Sequence, residues 1–471
     1  MKTNLIHFTT SRIRTLALTL VTAVMVFSVV SCKDDDDDTT PPANSNAKAF
    51  TYITLSDGTI QIEGSTNQSV TLDATKKYLL RNFVYVEDGG SLTIPAGTII
   101  KGEKSTKGSL IIQRGGKIYA NGTASSPVIF TSEFAPGSRN SGDWGGIIIC
   151  GRAPINVPGG EGTVEGGPDA KFGGSDPADN SGSFTYVRIE YPGIAFQPNN
   201  EINGLTLCGV GSATTVNNVQ ISYSGDDAFE MFGGTVNLKN IVSFRTIDDD
   251  FDSDFGYRGN VQFAVALRDP NLADVSGSNG FESDNDATGT TNTPQTMPLF
   301  SNVTIVGPMS STSATGYNTN FKRAAHLRRN SACSIYNSIL MGFPVGLFID
   351  GALSLTNATN NDLQFRSNLL VGIPDPSDTL ANGAAFNFLN YFGNQSGVMI
   401  YNEPADINMT GAFNLTAPDF IPGMGSPALN GANFTGRLTQ TFFTPVTHVG
   451  AFGNTDWTSG WANWTPQTAV Y

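Results

Sequence analysis

Two stretches of this chain can be laid over one another at an offset of 22 residues. Asn218-Val219 through Gly234 matches Asn240-Ile241 through Gly256, so Asp226, Asp227, Phe229 and Glu230 fall on Asp248, Asp249, Phe251 and Asp252. A looser copy follows, in which Phe251-Asp252-Ser253-Asp254 recurs as Phe281-Glu282-Ser283-Asp284. A repeat of this length is one turn of a solenoid. One coil cannot bury its own apolar face, but stacked coils bury a continuous core. Asn before a short apolar run recurs at Asn218, Asn240, Asn302, Asn337 and Asn368, which predicts a ladder of stacked asparagines at a repeated turn. The apolar residues come in short runs such as Leu110-Ile111-Ile112 and Ile339-Leu340-Met341, bounded by Gly, Asn, Asp or Pro, and the chain holds 52 glycines. Long helices are not expected from such a pattern. The expected fold is all-β: a right-handed parallel β-helix with coils about 4.8 Å apart, projecting loops and an irregular C-terminal cap. A β-sandwich would not require matching carboxylates at a fixed offset.

The rest of the chain divides around that solenoid. Residues 1–32 read as a leader: Lys2, Arg12 and Arg14 precede an apolar run from Leu16 to Val30, too short for a stable membrane span. Lys33, five aspartates at 34–38 and a Thr/Pro/Asn stretch to 48 read as a solvated linker. Residues 49–471 are then a single β-helix domain, irregular from about 413, where Trp457, Trp461 and Trp464 are expected to close the last coil. Gly-, Pro- and Asp-rich stretches at 154–182, 269–298 and 308–320 are expected to project as loops, which on a solenoid tend to line the binding face. The net charge is −14, and the leader carries only positive charge, so the remainder stands near −17. Such a surface disfavours nucleic acid and suits cations or neutral ligands. Cys150, Cys208 and Cys333 lack metal-ligand spacing and read as buried single thiols.

Stacking at this offset concentrates acid. Asp226, Asp227, Glu230, Asp248, Asp249, Asp250, Asp252, Asp254, Glu282, Asp284 and Asp286 would lie on adjacent coils. Carboxylates that close repel unless a divalent cation, a shared proton or arginine neutralises them. Calcium takes six to eight oxygens in flexible geometry, so Asp226, Asp227, Asp248, Asp249, Asp250, Asp252 and Asp254 are the candidate calcium ligands. Capping of turns and catalysis are the other two readings of the same acids. Basic residues gather at Lys322, Arg323, His326, Arg328 and Arg329, with Arg258 and Arg268 in the acidic coils. Strand alternation would put Lys322, His326 and Arg328 on one face. Glu282, Asp284, Arg323, His326 and Arg328 are therefore candidate ligand-binding residues, and Asp227, Asp249, His326 and Arg258 candidate catalytic ones.

Three resemblances bear on function. Val29-Val30-Ser31-Cys32 resembles a bacterial lipobox, which implies lipidation of Cys32. A basic residue and then acids directly after that cysteine resembles the surface-export signal of Bacteroidota lipoproteins, which implies the outer face of the outer membrane. Gly90-Ser91-Leu92-Thr93-Ile94, Gly115-Gly116-Lys117-Ile118 and Gly142-Asp143-Trp144-Gly145-Gly146 resemble the opening coils of secreted bacterial β-helix proteins. With Gly450 to Thr458, the whole chain after the leader is similar to a group of Bacteroidota β-helix lipoproteins, a likeness that transfers no activity. Ser224-Gly225-Asp226-Asp227 is similar to the Gly-Asp-Asp segment of polygalacturonases, whose carboxylates serve as acid and base; that family's Gly-His-Gly and Arg-Ile-Lys segments are not present. Two functions are therefore carried forward. The first is a surface lipoprotein that binds a glycan or metal-bridged ligand, working with an outer-membrane transporter. The second is a polysaccharide lyase or glycoside hydrolase acting on acidic glycans.

Overall fold

The structure is a computed structural model that describes residues 46–197, 200–378, 386–395 and 397–471. The leader, Cys32 and the aspartates at 34–38 lie outside the described residues. Residues from Asn46 to Tyr471 form one unit, built on an 18-stranded and an 11-stranded sheet whose pairings are parallel along the stack. The chain is a parallel β-helix. One antiparallel strand, Thr51–Thr54, opens it against Ile60–Glu63.

The 22-residue offset is the coil register. Val219 pairs with Ile241 and Phe229 with Phe251, and the looser copy continues the column from Phe251 to Phe281. Alternation then sorts the side chains. Phe229, Phe251 and Phe281 enter the core as a stack with ring centroids 5.8 and 5.7 Å apart, while Glu230, Asp252 and Glu282 point outward.

The larger sheet is folded in two along its length. Its long strands Gly182–Glu190, Thr215–Ser222, Asn237–Phe244 and Asn260–Leu267 each contain one non-glycine residue at positive φ: Tyr186, Asn218, Asn240 and Phe263. Asn302 and Asn337 continue this column, but at the next coil Ser367, rather than Asn368, takes the left-handed conformation. The recurring asparagines therefore serve the bend, a conformation Asn tolerates better than most residues. They do not form the expected ladder. Asn302 donates to the carbonyls of His448 and Gly450, and Asn337 to Ser301 Oγ.

Beyond the strand Met399–Tyr401 the chain has only 3₁₀ turns among its described elements. Its tryptophans do not lie over the final coil. Trp461 packs on Tyr186 and Trp464 on Phe244, on the flank of the middle coils. Val242, Phe244, Val265, Leu267 and Ile339 face outward and form a second apolar cluster under this strap. The strap ends at Tyr471, whose hydroxyl donates to Glu190 at 2.6 Å and whose carbonyl accepts from Lys77. Cys150, Cys208 and Cys333 are buried free thiols. No helix among the described residues is long and apolar enough to cross a membrane.

Candidate functional site

The acids are assembled by the turns that lead into successive strands of the smaller sheet. Asp226 and Asp227 precede Phe229–Phe232, Asp248 and Asp249 precede Phe251–Asp254, and Asn279 precedes Phe281–Ser283. These turns do form a ladder, of a mixed kind. Asn203 Oδ1 accepts from the backbone N–H of Asp227 at 3.2 Å, Asp227 Oδ1 from that of Asp249 at 2.8 Å, and Asp249 Oδ1 from that of Asn279. Asp227 and Asp249 are buried by this stacking, at 7% and 4% exposure. Beside them runs the outward column Thr206, Glu230, Asp252, Glu282, His326 and Phe348, each paired in register with the next.

Ladder and column meet in a cleft of about 940 Å³ lined by Asp226, Asp227, Glu230, Asp248, Asp249, Asp252 and Glu282. Three further acids enter from projecting segments: Glu165 from the 154–182 loop, Glu201 from a short hairpin, and Asp274 from the 269–298 segment. Repeat reasoning missed these three because they have no counterpart in neighbouring coils. Gly193 and Gly225 let the wall close: a Cβ on Gly193 would sit 2.3 Å from the Gly225 nitrogen.

Among the described residues, cations line the cleft at one end. Arg328 Nε meets Asp284 at 2.8 Å and its Nη2 meets Glu282, and Arg329 meets the other oxygen of Asp284 at 2.8 Å. His326 lies between Glu282 and Asp350, 3.4 Å from each, and stacks on Phe348 with centroids 4.9 Å apart. Burial disfavours its charged form, but the hydrogen bond to Asp350 and the adjacent Glu282 carboxylate outweigh burial and hold its pKa above the usual value. Among the described residues, no basic side chain lies within 4.0 Å of Asp226, Asp227, Glu230, Asp248, Asp249 or Asp252.

These acids are consequently hard to ionise. Burial first, then neighbouring carboxylates, raises Asp226, Asp227, Glu230, Asp248 and Asp252 well above the ordinary range. Asp249 is pushed to about 7 by burial and the charge of Glu282, against the pull of Asn279 and Arg268. Oδ1 of Asp248 and of Asp252 are buried without a hydrogen-bond partner. Two sets, Asp226–Asp227–Asp248 and Asp227–Glu230–Asp252, each hold three carboxylate oxygens within 4.8 Å of one another. They share Asp227.

The other candidates lie elsewhere. Asp250 turns away from the cleft, where Arg268 at 3.1 Å and Ser243 at 2.5 Å hold its buried carboxylate. Asp254 shares the outward face of Asp252 but is not part of the cleft's lining; it accepts from the Phe255 N–H, and burial pushes it to about 7. Arg258 is exposed beside Met297, and Arg323 lies over the Phe348 ring, 4.4 Å from its centroid. Asp227 and Asp249 are thus brought together, His326 is held at the next coils, and Arg258 is apart from all three.

A family model described as a pectate-lyase like beta helix domain matches residues 64–397, well over half of the chain. The chain belongs to that family. No curated protein matches it by sequence.

Proposed function

We propose that this member of the pectate-lyase-like β-helix family is a glycan-binding protein whose cleft works through a bound divalent cation, calcium by its all-oxygen donor set. The observation that carries the reading is the pair of three-carboxylate sets sharing Asp227, with no basic partner among the described residues. At about 5 Å and an effective dielectric near 20, each ionised pair costs about 3 kcal/mol. A divalent cation removes that cost and pulls the acids' pKa values down. Asp226, Asp227, Glu230, Asp248 and Asp252 are the proposed ligands, with Asp249 behind them in the ladder. A cleft of this charge repels an acidic glycan when empty and attracts one once metal is bound, through carboxylate or hydroxyl oxygens completing the coordination. Its volume, about 940 Å³, suits several sugar rings. The proposed setting is the cell surface, with a lipid on Cys32 and an outer-membrane transporter as partner; lipobox and acidic linker support it.

The lyase reading rests on one feature. Asp249, with its carboxyl near 7, lines the same cleft and suits proton exchange near neutral pH. One experiment separates the two readings. Polygalacturonate and a neutral glucan are tested for retention of the protein in affinity gels, with calcium and with a chelator, while ultraviolet absorbance follows unsaturated uronate products. Calcium-dependent retention without product supports binding, and product formation supports the lyase. Retention that ignores the chelator overturns the metal-bridged account.

A further inference from the structure

We propose that this chain has a second binding site, sharing no residue with the acidic cleft, that takes an oxyanion: a carboxylate or sulfate group on a small ligand. The site is a cavity of about 210 Å³ where the C-terminal strap crosses the late coils, lined by Tyr336, Asn361, Gln364, Arg366, Asn433 and Arg437 among others.

Two guanidiniums converge there from different parts of the chain. Arg366 lies on the strand Phe365–Arg366, in register with Tyr336 on the coil below. Arg437 comes from the 3₁₀ turn Gly436–Thr439 of the strap. Both are held by neutral acceptors. Arg366 donates to Gln395 Oε1 at 3.2 Å and Asn361 Oδ1 at 2.9 Å, and Arg437 to the Asp362 carbonyl at 2.7 Å and Ser334 Oγ at 3.1 Å. Among the described residues, no carboxylate lies within 4.0 Å of either. By contrast, Arg81, Arg114, Arg152, Arg245, Arg268, Arg328 and Arg329 all have carboxylate partners. Both guanidiniums also reach the Tyr336 hydroxyl electrically, opposing the upward push that burial gives its pKa.

Arginine does not lose its proton, so the two charges persist together and repel. An oxyanion between them removes the repulsion, and its oxygens match the planar forks. Asn361, Gln364 and Asn433 add neutral amides that can donate to the same oxygens or to a hydroxyl. The cavity is smaller than the roughly 300 Å³ at which drug-sized pockets begin, so it accommodates one anionic group or a single sugar ring. An occupant would touch coil and strap together, and so stabilise the fold by mass action.

The test titrates the calcium-free protein with sodium sulfate, sodium glucuronate and glucose, each against sodium chloride at matched ionic strength. Calorimetry and melting temperature are both read. Saturable binding of sulfate, glucuronate or both is expected, with a raised melting temperature and none of this for glucose or chloride. Arg366→Gln and Arg437→Gln should each weaken binding at least tenfold. Arg366→Lys, which keeps the charge on an intact strap, should weaken it less. Binding of sulfate alone assigns the site to a sulfate ester, and of glucuronate alone to a uronate. Responses no larger than chloride's, or binding that survives the double Gln variant, would overturn the proposal. The acidic cleft is read separately by calcium, so failure here leaves the cation account standing.

Discussion

Asp227 and Asp249 each do two things at once. One oxygen accepts the backbone N–H of the coil above, which fixes the turn, and the carboxylate as a whole lines the cleft. Asn203 opens the ladder by accepting the Asp227 N–H, Asn279 closes it by donating its backbone N–H to Asp249, and neither brings a charge. Replacing an aspartate by Asn therefore keeps the turn and removes the charge. At pH 8 without metal, Asp249→Asn is expected to raise stability by roughly 1–3 kcal/mol, since ionising this group in the fold is what its pKa of about 7 resists. Denaturant unfolding checks this; a loss of stability would mean that the charge is already compensated. The pH dependence has a fixed sign. Asp249 and Asp254 titrate near 7 in the fold and near 4 when unfolded. Between those values the fold holds protons that the unfolded chain has released, so their contribution is full below about 4 and lost as pH rises through 7. The metal-free protein should melt higher at pH 5 than at pH 8. Calcium, which competes with those protons, should stabilise more at pH 8 than at pH 5.

At the scale of the coil, the register rests on apolar columns. Val219, fully buried, pairs with Val187 below and Ile241 above. Val219→Asp buries a charge with no partner and is expected to cost about 4 kcal/mol or more. Native circular dichroism and an unchanged melt in that variant would contradict the stacking. Much of this was legible in the sequence, because a parallel stack repeats each residue's environment at a fixed offset, so Phe229–Phe251–Phe281 and Glu230–Asp252–Glu282 could be aligned from the residues alone. Position along the repeat says less about side-chain direction. Asp250 is one residue from Asp249, yet it points to Arg268, because Arg268 is itself buried and needs a counter-charge. The ladder was expected at Asn218 and Asn240, and it forms at Asn203, Asp227, Asp249 and Asn279. The first column meets a left-handed bend, and Asn302 and Asn337 bond to the strap and to Ser301 instead of to one another. Glu165, Glu201 and Asp274 lie in segments outside the repeat, where no offset could find them.

The described residues from Asn46 onward form a coil stack that gathers many of its acids into one cleft and carries its C-terminal segment along one flank. The proposed cell-surface setting rests on residues ahead of that stack. Cys32→Ala should leave the protein without lipid and release it from the membrane fraction. Replacing the aspartates at 34–38 with alanine should keep the lipid and lose surface exposure. Labelled palmitate on the first variant, or unchanged protease accessibility of intact cells with the second, would contradict the anchored, outward-facing arrangement. The proposed function turns on the cation, and the most direct measurement is calcium titration of the metal-free wild type and of Asp227→Asn/Asp252→Asn, which removes a ligand from both carboxylate sets, by calorimetry, with melting curves alongside. The wild type should bind calcium saturably, release protons as it does so, and melt at a higher temperature with calcium than with chelator. The double variant should show a difference of near zero. A wild type indifferent to calcium, or a double variant that responds as the wild type does, would contradict it.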